Sequence, residues 1–197
     1  RFFLLFAGLF CLLQLQAQTL VADHKSANTF GLEGAVIYVD AKDHQLVQVA
    51  ATHLQNDIQK VTGRKIPLVF QKPSKATTLI VIGSADKSSI IKELEGAKKI
   101  DTKSLAKQWE GYLVKTFQNP FKGIANAVLI TGSDRRGTAY GVFEISKQIG
   151  VSPWYWWADV PVKKRNDIYF KQNQTLTDAP KVKFRGIFIN DEAPALS

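Results

Sequence analysis

The stretch from Ala35 to Ile82 constrains the fold more than any other part of the sequence. It opens on Ala35-Val36-Ile37-Tyr38-Val39, whose β-branched and aromatic content predicts a strand. An amphipathic helix is expected next, running to about Thr62. Leu46, Val49, Ala50, Leu54, Ile58 and Val61 recur at three- and four-residue steps, Asp40 or Asp43 is placed to cap the start, and Gly63 supplies a left-handed stop. Two short strands follow at Ile66–Phe70 and Thr78–Ile82. The second is almost continuously apolar, as expected of a strand covered on both faces.

The alternation continues with a helix over Ser84–Glu95, strands at Gly111–Phe117 and Ala127–Thr131, and a helix from about Arg136 to Ile149. The Lys-rich piece from Ala97 to Lys107 is ambiguous, and no internal repeat is visible. Strands alternating with helices imply an α/β fold, a small two-layer sandwich with a mixed sheet and packed helices. The 197 residues leave room for about one domain of ordinary globular composition, with 45% hydrophobic and 22% charged residues.

The ends of the chain have a different character. Arg1 precedes the apolar run Phe2 to Leu13, and Gln14-Leu15-Gln16-Ala17-Gln18 follows. The run is short of the ~20 residues of a membrane span and fits a secretory signal peptide over residues 1–17, cut after Ala17. The expected location is therefore secreted or periplasmic, with no membrane association once the leader is removed. The single cysteine, Cys11, falls in the leader, and bulky Phe10 before it argues against lipidation. The mature chain then has no disulfide and must rely on packing.

A formal charge of +9 raises the question of a polyanionic partner. Lys and Arg are spread along the chain, the densest run is Lys163-Lys164-Arg165, and no aromatics interleave with it. This pattern reads as a solvated surface, and no nucleic-acid partner is expected. For an exported protein an acidic glycan is the more sensible polyanion.

Gly132-Ser133-Asp134-Arg135-Arg136-Gly137-Thr138 sits between a strand and a helix, the setting in which phosphate is often held. Thr138 stands where a Walker loop needs Lys, and the closely paired glycines of the dinucleotide fingerprint are missing. A tight turn with Ser133 or Asp134 as helix cap is the expected reading, with Gly137 and Gly141 allowing the helix to approach the sheet. His24, His44 and His53 have no metal-binding spacing and belong to no Ser/His/Asp arrangement, so no metal or cofactor is expected.

From Gly150 the chain changes again. Val151-Ser152-Pro153-Trp154-Tyr155-Trp156-Trp157-Ala158-Asp159-Val160-Pro161 is too aromatic and proline-bounded for a regular element. Its rings suit either stacking on sugar or gluing adjacent domains, and packing is the favoured use. After a polar connection containing Asn173–Pro180, Phe184 to Glu192 reads as a strand ending in Asn190, Asp191 and Glu192. At the carboxyl edge of a β/α barrel such residues sit where active sites collect. Neighbours on a strand point to opposite faces, so Asp191 and Glu192 are not expected to form a glycosidase's carboxyl pair together.

The helix ending in Val61-Thr62-Gly63, the segment Asp134-Arg135-Arg136-Gly137-Thr138-Ala139-Tyr140-Gly141, the run Val151 to Pro161, and Phe184-Arg185-Gly186-Ile187-Phe188-Ile189-Asn190-Asp191-Glu192-Ala193-Pro194-Ala195-Leu196 together resemble glycoside hydrolase family 115, the xylan α-glucuronidases. The resemblance implies an N-terminal domain like those of α-glucuronidases and hexosaminidases at residues 18–180. Residues 181–197 would then begin a β/α barrel that carries the active site. The implied activity is inverting removal of glucuronic acid or its 4-O-methyl ether from xylan, without a cofactor. Asn190, Asp191 and Glu192 are the implied substrate contacts, and the catalytic acid and base are not identified. The implied partners are glucuronoxylan or its oligosaccharides and the chain's own catalytic domain, with self-association left open. Residues 1–197 alone would be inactive. A free-standing glycan-binding or interaction module using the Trp154 to Trp157 loop is the alternative.

Overall fold

The computed structural model describes residues 19–186. The signal-peptide reading of residues 1–17 falls outside them, as do Asn190, Asp191 and Glu192. The strands, in chain order, are β1 Val21–Ala22, β2 Thr29–Phe30, β3 Ala35–Val39, β4 Leu68–Val69, β5 Ala76–Ser84, β6 Tyr112–Gln118, β7 Ile124–Gly132, β8 Tyr169–Lys171 and β9 Thr175–Asp178. The helices are α1 Gln45–Thr62, α2 Ser89–Gly96 and α3 Arg135–Ile149, with a short 3-10 turn at Leu105–Lys107.

Six strands form a mixed sheet in the order β4-β3-β5-β7-β6-β9. β4, β3, β5 and β7 run parallel, with Ile37 opposite Ile80 and Val81 opposite Leu129. β6 and β9 are added antiparallel at the other edge. A second, three-stranded sheet places β8 between β1 and β2, antiparallel to both.

The pleat divides the core in two. Ile37, Val39, Ile80, Ile82, Val128 and Ile130 face α1 and α3, while Tyr38, Leu79, Val81, Leu113 and Leu129 face α2 and Leu105. The expected α/β architecture with its mixed sheet is present, and the face opposite the two long helices is closed by a thinner cover. β5 is buried from Thr78 to Ser84, as its unbroken apolar run requires.

Several local expectations need correction. α1 ends at Gly63 as expected, with φ +75° and its amide on Gln59 O at 2.8 Å. Its start is different: His44 is the N-cap without a side-chain cap bond, and neither Asp40 nor Asp43 caps the helix. Asp43 instead accepts from Ser84, and Asp40 from Ser89, because both carboxylates turn across to the end of β5 and the start of α2. Leu46 and Val49 are exposed; the buried stripe runs through Val47, Ala50, Ala51, Leu54, Ile58 and Val61. The helix expected from Ser84 begins only at Ser89, since Ser84 still belongs to β5. The polar connection at 173–180 contains β9, and residues 184–186 form no strand.

Candidate functional site

The carboxyl edge of β3 and β5, where α1 and α2 leave for opposite faces, is the position at which open α/β sheets commonly bind ligands. Here the chain fills it with its own bonds. Asp43 Oδ1 accepts from Ser84 Oγ at 2.7 Å and Oδ2 from Ser84 N at 2.9 Å. Asp40 accepts from Ser89 N at 3.0 Å, from the Ser89 hydroxyl, and from Lys42 N at 2.9 Å. Burial pushes the Asp40 carboxyl up, but these bonds outweigh it and hold the group below the usual carboxylate range. His44 Nε2 lies 3.0 Å from Asp86 Oδ2, while the Ser84 hydroxyl is committed to Asp43. No nucleophile–base pair results.

The Gly132–Thr138 turn is also occupied from within. Asp134 Oδ1 accepts from Arg136 N at 2.8 Å and Gly137 N at 2.9 Å, capping α3 with the amides a phosphate would need. A Cβ on Gly137 would meet Gly111 O at 2.2 Å, and one on Gly141 would meet Ile130 Cγ2 at 2.9 Å. Gly137 therefore lets α3 approach the turn before β6, and Gly141 lets it pack on β6 and β7. His24 and His53 are exposed and His44 is half-buried. Among the described residues no group of His, Cys, Asp and Glu is arranged to hold a metal ion, and no helix is long and apolar enough to cross a membrane.

Two other regions present unusual chemistry. The first is where the chain leaves the domain toward Gly186. Glu110 is 1% exposed and adopts φ +51°. Arg136 Nη1 approaches its Oε1 at 2.8 Å as an ion pair without hydrogen-bond alignment, and Arg185 Nη2 donates to its Oε2. Arg185 Nη2 also donates to Tyr140 Oη at 3.1 Å, and Lys183 Nζ lies 4.7 Å from the Trp109 ring centre. The segment leading toward Asn190, Asp191 and Glu192 is thus fastened to α3 and to the turn before β6.

The second region is the aromatic loop. Trp154, Trp156 and Trp157 are 64%, 73% and 76% exposed, whereas Tyr155 packs half-buried against the core. The loop has no strand or helix, as expected. It lies against the end of α1 through Lys60, whose ammonium is 4.6 Å from the Tyr155 ring centre and 5.4 Å from that of Trp156. Phe143 of α3 is also exposed, 6.2 Å from the His53 ring. Sequence reasoning singled out the tryptophans, weighed His53 only as a metal or triad residue, and passed over Phe143 and Glu110. Phe143 carried a signal, an aromatic out of phase with the buried stripe of α3.

Residues 18–145 match the family described as "Glycosyl hydrolase family 67 N-terminus". Among solved structures, a family GH115 4-O-methyl-alpha-glucuronidase with specificity for decorated arabinogalactans is 29% identical, with a TM-score of 0.66 over 84% of this chain and 20% of its own. The chain therefore spans about a fifth of that relative's length. The structure of CpGH84D is 11% identical over 86% of this chain and 24% of its own, with a TM-score of 0.49. A Streptomyces plicatus beta-hexosaminidase is 14% identical over 79% and 24%, with a TM-score of 0.46. These last two likenesses are too low to carry an argument about chemistry. No curated protein matches the chain significantly.

Proposed function

The chain belongs to the glycosyl hydrolase family 67 N-terminus family, and from that premise we propose that it is the front part of an exported α-glucuronidase of the family 115 type. In this reading residues 18–180 are the accessory domain, and residues 181–197 lead into a β/α barrel that carries the chemistry. The enzyme removes glucuronic acid or its 4-O-methyl ether from a decorated polysaccharide, with xylan as the leading substrate. The mechanism is inverting, so acid and base stand roughly 6.5–9.5 Å apart to admit a water. Asn190, Asp191 and Glu192 contribute to the sugar pocket.

The observation that carries this reading is the 29% identity over 84% of the chain to a 4-O-methyl-alpha-glucuronidase. The fastening of Arg185 to Glu110 supports it, because it holds the polypeptide in place a few residues before the proposed sugar contacts.

The test is release of glucuronic acid by the full-length polypeptide from glucuronoxylan and, separately, from a glucuronidated arabinogalactan. Release from either, with loss in Asp191→Asn, supports an α-glucuronidase and selects the backbone. No release from either overturns it. The exposure of Trp154, Trp156 and Trp157 favours a second reading, a glycan-binding module without hydrolysis. That reading predicts polysaccharide retention without any released sugar.

A further inference from the structure

Between the middle and end of α1, the second half of α3 and the aromatic loop lies a cavity of about 230 Å³. Phe143, Tyr155 and Trp156 give it aromatic walls, and Val151 and Pro153 extend the apolar surface. Tyr155 and Trp156 meet edge to face, with ring centres 5.2 Å apart. The polar part of the lining is unusual for so small an apolar hollow. Asp57 is 7% exposed and Ser146 is 4% exposed. The Ser146 hydroxyl has no hydrogen-bond partner, a cost that folded chains seldom leave standing without a use. His53 and Ser152 complete the rim.

We propose that this cavity is an ancillary subsite for one uncharged pyranose unit of a polysaccharide chain. Its volume lies below the roughly 300–1,000 Å³ of pockets for drug-sized ligands, so it suits a single ring rather than an oligosaccharide. The C–H face of a pyranose lies against Trp156 or Tyr155, and its hydroxyls donate to the Asp57 carboxylate that lines the cavity. The charge balance selects a neutral sugar. Lys60 Nζ, 3.1 Å from Asp57 Oδ1, is already paired with the one carboxylate present. A uronate would bring a second negative charge beside Asp57 with no free cation in the lining. The cavity thus recognises the backbone of a glycan and not the acidic branch that the proposed catalytic site removes. Only the choice of a xylan-derived probe rests on the proposed function.

The experiment is calorimetric titration of the intact polypeptide with neutral xylohexaose, with a neutral galacto-oligosaccharide and with glucuronic acid, following tryptophan fluorescence in parallel. Trp156→Ala and Asp57→Asn are compared with Trp157→Ala, whose ring is exposed but does not line the cavity; thermal unfolding confirms that each is folded. Binding of either neutral oligosaccharide that weakens about tenfold in both cavity variants, or about 1.4 kcal/mol, and is little changed in Trp157→Ala, is the expected result. Absence of binding by either, or an equal loss in Trp157→Ala, overturns the subsite, as does glucuronic acid binding that is lost in both cavity variants. Cavity-dependent binding without hydrolysis leaves the subsite standing and removes the enzyme reading. Hydrolysis without such binding does the reverse.

Discussion

Asp43 and Ser84 are joined twice, by the serine hydroxyl at 2.7 Å and by the serine amide at 2.9 Å, so that a single carboxylate ties the turn before α1 to the last residue of β5. Both residues are buried, and the same Asp43 Oδ1 also accepts from His44 N at 2.7 Å. Truncating the acid strands several donors at once. Asp43→Ala is expected to cost about 2–3 kcal/mol, since bonds to a charged group are replaced by unsatisfied buried donors. In a domain of this size that is a fall in Tm of roughly 4–12 °C. Ser84→Ala, which keeps the amide bond, should cost clearly less. Thermal unfolding of the two variants checks the order, and equal losses would show that the double attachment is not what matters.

Asp40 gives a pH signature. Its folded-state carboxyl is held below the ordinary value by the Ser89 and Lys42 bonds, against the opposing effect of burial. A group depressed by folding stabilises the native state above its unfolded pKa of about 3.9 and loses that contribution as pH falls through the lower folded value. Urea unfolding from pH 6 to about pH 2 should therefore show the wild type losing stability faster than Asp40→Asn at the acid end. Parallel curves for the two proteins would refute the assignment.

The fastening of the outgoing segment predicts a local change rather than a global one. Glu110 holds Arg185 from a buried position, while Lys181 and Lys183 beside it are exposed. Glu110→Gln weakens the attraction to both guanidinium groups and should raise tryptic cleavage after Lys181 and Lys183 severalfold. Cleavage within α1 should not change. Unaltered cleavage at the two lysines would mean that the segment is held by other contacts.

The central sheet was legible because it rests on short-range rules. β3 and β5 follow from β-branched runs, and the end of α1 follows from Gly63. The face of α1 was only partly legible. Val47, Ala51, Leu54, Ile58 and Val61 make one three- and four-step stripe, and Leu46 and Val49 begin a competing one. The sheet decides between them, and periodicity alone does not. β9 escaped because an edge strand needs only one inward residue, here half-buried Leu176 among exposed Thr175, Thr177 and Asp178. The tryptophan loop was visible as composition, but the cavity beside it draws on three separate segments. Glu110 and Arg185 lie 75 positions apart, and a pair so distant leaves no local pattern to read.

The small sheet has a bearing on how the polypeptide is made. β8 lies between β1 and β2, with Phe170 opposite both Val21 and Phe30 and stacked on the Phe30 ring at 5.9 Å. In a chain synthesised from its N-terminus, Val21 and Phe30 wait for their shared partner until nearly the whole domain has emerged. Topology thus acts as a timer: the knot of contacts that seals the domain cannot be tied early. The order of the strands thus leaves an interval in which both N-terminal strands are made but unpaired.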